Sequence, residues 1–363
     1  MGKFLRITIS VLVALVSFTA CRDSEEVITP SGNYSPIRGG FPQGDSEYDK
    51  IINDIKNEWG VYLLYKDVTE EDMNRTWVSI PTKDIYVGGD ASERDKGAWD
   101  LPMEHLPYYV DFFQNYIFPN ITKEFAHSTF PVKIYMINNL RTEKLIIDEE
   151  AEKKEEDGSE DNEAEDNEAE STTEGTDTNP NKVIKLGDFD NWAVSFPDSV
   201  ITGKNSEYAL KQMRCIFMLE VIKNAMDKGE ITSPDEFWSG FDFSEDKKMD
   251  HKDPSKDNYK YKLGFIDEPN DNFGTGQLKQ FWRPLETSVF SCYYWEKGKY
   301  KDYDLFKAYI KNALWLTPED FEERYPSDLY PMLTEKYNIV TKHMLDKYGI
   351  NLIGIARGKE QQE

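Results

Sequence analysis

Residues 217–225 read FMLEVIKNA, and a single carboxylate, Glu220, stands in the middle of that apolar run. The run has the pattern of a helix that is hydrophobic on nearly every side, which is the pattern of a buried helix. An ionised acid in such surroundings is costly unless it is paired, coordinated or turned to water. Lys223 follows three residues later on the same helical face, close enough for an ammonium to approach the carboxylate. Glu220 is therefore the first candidate for chemistry, with coordination, ion pairing and a solvated cleft as its three possible circumstances.

Other chemistry-bearing residues are scattered. The four histidines are His105, His127, His251 and His343. Lys123-Glu124-Phe125-Ala126-His127 resembles HEFAH with its first His lost, but it sits just before a strand and lacks a long helix after it. One Glu-x-x-His without a second copy does not make a di-iron bundle site. His343 reads as a structural or surface residue of the last helix. The Asp/Asn-rich stretch DEPNDNFG (267–274) lacks the EF-hand spacing and reads as a loop. There is no Gly-x-Ser-x-Gly elbow, and neither Cys215 nor Cys292 stands in a recognisable catalytic signature. These two thiols could pair in an oxidising compartment or stay free and buried. Trp282, Tyr293, Tyr294 and Trp295 could stack on sugars, although such clusters more often form core.

These residues need a scaffold, and the periodicity predicts one. A helix over about Glu47–Trp59 gathers Ile51, Ile52 and Ile55 on one face, and VYLLY (61–65) follows as a strand. A helix over about 103–117, strands at 132–137 and 192–196, and a long helix over about 206–228 come next. Helices over about 303–315, 318–325 and 327–348 complete a mostly helical C-terminal part. The expected fold class is α+β. Between them, residues 148–182 are polar and acidic, with DNEAE repeated back to back, and are expected to stay disordered as an insertion within one domain. Residues 148–177 hold 16 acidic residues against only Lys153 and Lys154, so more than half of the net charge of -25 is local. No basic stripe interleaved with aromatics is present, which excludes a nucleic-acid partner.

The first twenty residues combine Lys3 and Arg6, an apolar stretch from Ile7 to Val16, and small residues, which is the make-up of a secretion signal. That stretch is too short to span a membrane, and no later segment reaches the roughly 18–20 apolar residues required. Phe18-Thr19-Ala20-Cys21 resembles the lipobox of bacterial lipoproteins, so Cys21 is expected to carry a lipid. The acidic RDSEE that follows resembles a surface-export tag of such lipoproteins. Residues 21–44 then read as a flexible tether, and the folded domain as 45–363.

The long helix gains meaning from its neighbours. An HExxH zinc peptidase places two His one turn apart on a helix, with a Glu after the first as general base on metal-bound water. The corresponding five positions here are Leu219-Glu220-Val221-Ile222-Lys223. In order and spacing, YDKIINDIKNEWGVYLLY, FPVKIYMINNL, the long helix, GEITSPDEFW and EKYNIVTKHMLDKYGINL resemble a family of bacterial lipoproteins called putative zinc-binding metallopeptidases, over most of residues 45–355. That resemblance implies a zincin-like fold, with Glu220 as a vestigial general base and Leu219 and Lys223 where the histidines would stand. The family also carries an acidic EDFAE-like pattern downstream. Glu319–Glu323 (EDFEE) matches it in letters, whereas Asp304-Leu305-Phe306-Lys307 matches it in position, which favours Asp304 as the remnant of a further ligand.

With both His missing, the resemblance implies no bound cofactor; zinc would return only if the site were active. The expectation is a lipid-anchored protein of the bacterial cell envelope, at the outer membrane and potentially at the cell surface, used for binding or assembly. Two alternatives stay open. One is an active hydrolase, with relocated metal ligands or a carboxylate pair acting on a glycan; the other is capture of a glycan, a peptide or envelope proteins without chemistry.

Overall fold

The computed structural model describes residues 37, 40–74, 84–87, 100–138, 140–144, 184–186, 191–196, 201, 206–241, 250, 252–267 and 303–361. The chain divides into two compact units, Met1–Phe41 and Pro42–Glu363. In the first, only Ile37, Gly40 and Phe41 are described, with the Gly40 amide donating to the Ile37 carbonyl at 3.1 Å. The expected secretion signal, Cys21, most of the expected tether, the acidic residues 148–182, Cys292 and the aromatics at 282–295 lie outside the described residues.

The second unit is α+β. Helix α1 (Glu47–Trp59) begins where its sequence says it should. Ser46 caps it, Ser46 and Asp49 form a reciprocal capping box, and Gly60 in the left-handed region ends it. Strand β1 (Tyr62–Leu64) follows, then the short helix α2 (Glu70–Asn74) and strand β2 (Asp84–Val87). Helix α3 (Leu106–Phe112) widens into a π-helical turn (Phe113–Ile117) and closes as a 3-10 turn (Phe118–Asn120). Pro119 in that last turn brings no amide for a further helical bond. After α4 (Lys123–Thr129) come β3 (Lys133–Met136), β4 (Arg141–Lys144), β5 (Ile184–Leu186) and β6 (Asn191–Val194).

The main sheet has the order β1-β3-β6-β5. β1, β3 and β6 are parallel, and β5 pairs antiparallel with β6. β2 and β4 form a separate antiparallel pair. Tyr109 of α3 ties off the carboxyl ends of two parallel strands. Its hydroxyl donates to the Ile137 carbonyl at 3.1 Å and accepts the Phe196 amide at 2.7 Å. At the outer rim, the Gln43 carboxamide accepts the amides of Tyr65 (2.7 Å) and Lys66 (3.2 Å) and donates to the Lys66 carbonyl (2.8 Å).

The long helix α5 (Ser206–Asp227) is the axis of the core. From Gln212 to Leu219 every side chain is buried, with no solvent face for two full turns. Phe217 on this stretch meets Phe112, Phe113, Phe130 and Trp192, mostly edge to face, the favoured geometry for aromatic pairs. Beyond α5 come α6 (Asp235–Trp238), α7 (Tyr303–Trp315), α8 (Pro318–Arg324), α9 (Pro331–Tyr348) and α10 (Leu352–Arg357). The last long helix starts at Pro331 and not near Ser327. The amides of Leu329 and Tyr330 turn back onto the Pro326 carbonyl, and Pro331 suits a first helical position.

Candidate functional site

Glu220 lies where α5 regains a solvent face. Ahead of it Leu219 is completely buried, and behind it Val221 and Ile222 are buried too. The Lys223 ammonium donates to Glu220 Oε1 at 2.9 Å, with the acid 25% and the lysine 28% exposed at their side chains. The carboxylate is thus neither lost in the core nor fully in water. It stands at the edge of an apolar wall with a cation of the same helix against it.

The residues present do not fit a zinc ion of the HExxH kind. Leu219 offers no donor atom and points into packed core, and Lys223 brings a positive charge already engaged by the one acid of the motif. Asp304 is the second residue of α7, and its side chain is outside those described. The competing EDFEE stretch forms most of α8, where Glu319 accepts from Arg357 Nη2 at 2.7 Å on the surface. Among the described residues, no group of three or more His, Cys, Asp or Glu side chains is placed to hold a metal ion.

The histidines do not converge on Glu220. His105 immediately precedes α3, with its Nδ1 buried and without a hydrogen-bond partner. The KEFAH stretch forms the first five residues of the seven-residue helix α4, with Glu124 and His127 exposed. His343 on α9 sets its Nε2 at 2.9 Å from the Thr232 carbonyl, and Tyr348 accepts the Thr232 amide at 2.9 Å. Together they dock the segment after α5 onto the last long helix. His251 is outside the described residues. Cys215 is free and buried; its thiol donates to the Leu314 carbonyl at 2.9 Å, and burial pushes its pKa up to about 12.

Two polar constellations escape a reading by motif. The first surrounds Asp267, whose carboxylate accepts from Lys260 and Tyr261 while Asn312 of α7 donates to its main-chain carbonyl at 2.9 Å. Burial, together with the nearby Tyr325 and Asp267, raises the Tyr261 hydroxyl well above its usual range. The second is Arg214, 1% exposed on α5. Its Nε and Nη2 donate to the carbonyls of Ile355 (2.6 Å) and Ala356 (3.1 Å), in the last turn of α10, where carbonyls lack helical partners and a cation is favoured. Gly358, at φ +76, lets the chain pass against this guanidinium; a Cβ there would stand 2.8 Å from Nη2. The Arg214 site spans 141 residues and the Asp267 site is completed by Asn312, 45 residues on, so no local spacing announces either in full.

No protein-family model matches the chain, and no curated protein matches it. Among solved structures it is similar to a putative zinc-binding metallo-peptidase from Bacteroides caccae ATCC 43185. The two are 12% identical, the match covers 86% of this chain and 92% of that one, and the TM-score is 0.35. So loose an overlap decides neither fold nor activity.

Proposed function

We propose that this chain is a lipid-anchored protein of the bacterial cell envelope whose zincin-like, metallopeptidase-derived site is silent, and that it works by binding or assembly and not by hydrolysis. The observation that carries the reading is the state of α5: an alkyl side chain sealed in core at Leu219, and an ammonium paired with Glu220 at position 223. A helix so equipped has no imidazole pair for a metal and no metal-bound water for Glu220 to activate. The outer-membrane location rests on the FTAC sequence at Cys21 and on the tether that follows it. No described helix is long and apolar enough to cross a membrane.

The anchor is tested by mass spectrometry of the membrane fraction. A diacylglyceryl-modified Cys21 is expected, and Cys21→Ala should release the protein; a soluble form beginning elsewhere would overturn the anchor.

The silent site is tested by metal analysis. Purified protein should hold no stoichiometric zinc and show no chelator-sensitive peptidase activity. The double change Leu219→His with Lys223→His rebuilds the motif around Glu220. Replacing a fully buried Leu forfeits about 2 kcal/mol of apolar burial, so the variant should melt lower than the parent. Added zinc should then raise its melting temperature, because a ligand held only by the folded state stabilises it. A folded variant indifferent to zinc would sink the inferred ligand geometry. Zinc bound at Glu220 in the parent protein, or cleavage that a chelator abolishes, would sink the silent-site reading.

A further inference from the structure

A partly buried carboxylate needs a balancing charge, and at Glu220 the balancing group is visible. We infer that Lys223 is the resident cation of this site: its ammonium neutralises Glu220 from within the chain and makes the site independent of metal. The inference rests on the silent-site reading and adds to it the identity of the group that stands where a metal charge would be. Three observations carry it. The contact is direct, at 2.9 Å, between side chains that are about three-quarters shielded from solvent. That partial shielding lowers the effective dielectric around the pair and strengthens the attraction. The acid also precedes the base along the helix, the order that the peptide dipoles favour.

An ordinary exposed pair at this spacing changes the unfolding equilibrium about twofold. A resident counter-ion in a sheltered site should change it about tenfold, and the difference is measurable. The full-length protein and the variants Glu220→Gln, Lys223→Met and their double form a thermodynamic cycle read by denaturant unfolding. A coupling near tenfold is expected, and Lys223→Arg, which keeps the charge, should stay within about twofold of the parent.

A second arm asks for the cation itself. In Lys223→Ala, methylammonium chloride should restore part of the lost melting temperature, whereas tetramethylammonium chloride at equal ionic strength, which has no N–H to donate, should not. Zinc titration of the parent by calorimetry runs alongside. Coupling of twofold or less with no zinc uptake overturns the resident-cation inference and leaves the silent-site reading standing. Zinc uptake at Glu220 overturns both. If Lys223→Met does not fold, the arginine variant and the ammonium arm decide in its place.

Discussion

At the scale of single residues, Asp49 shows what a buried acid requires when no cation stands directly on it. It is 1% exposed, and its oxygens accept the Ser46 amide (2.9 Å), the Ser46 hydroxyl (2.6 Å) and the Tyr65 hydroxyl (2.7 Å). Burial alone would push this carboxyl up. The hydrogen bonds from Ser46 and Tyr65, with Lys66 nearby, outweigh burial and hold it below the usual range. A carboxyl whose folded value is depressed contributes stability that is fully present above the ordinary aspartate value of about 4 and lost as pH falls below it. Asp49→Asn should therefore cost about 1–2 kcal/mol at neutral pH. It should also flatten the loss of stability on acidification below about pH 4, checked by urea unfolding at a series of pH values. An unchanged acid limb would show that other carboxylates dominate it. Glu220 solves the same problem differently, with a neighbouring ammonium in place of a ring of donors.

Among elements, the contact between α5 and α10 is the one most exposed to a single change. Arg214 is buried, and truncating it strands two carbonyls and removes charge-assisted bonds. Arg214→Ala should cost about 3 kcal/mol. Arg214→Lys should recover only part of that, because an ammonium cannot span two carbonyls as a guanidinium fork does. Amide hydrogen exchange should localise the loss to residues 352–358; uniform loss across the chain would argue against a local clasp. The elements a reader of the sequence can find are those with their own signals. The capping box and isoleucine face of α1 and the length of α5 and α7 fix their bounds closely, and the i, i+3 spacing puts Lys223 beside Glu220. What stays hidden is whatever depends on a distant partner. The three-residue strand β5 exists through its pairing with β6, and the π-helical turn has no local code. α5 is apolar on nearly every side, so its sequence does not say that Leu219 is sealed in core while Glu220 is left partly exposed; the packing decides that. The Lys260–Asp267 pair, fixed from α7 by an asparagine 45 residues away, is invisible for the same reason.

For the whole molecule, the charge is unevenly spent. Sixteen acids sit in residues 148–177, a stretch with no apolar periodicity to bury. Deleting about residues 150–180 and joining the ends by a short Gly/Ser link should leave the melting temperature unchanged or raise it, since it removes no apolar periodicity and relieves like-charge repulsion. A large fall in a calorimetric scan would mean that the stretch packs against the domain. The rim of the main sheet has a different consequence. An uncovered strand is a mould against which an identical chain can be cast, and repeated casting makes a fibre. At β1 the chain has pressed a piece of itself into the mould: the Gln43 carboxamide occupies the amides just past the strand and one carbonyl beside them. Gln43 is thus a stopper that the chain itself supplies just past the end of its edge strand.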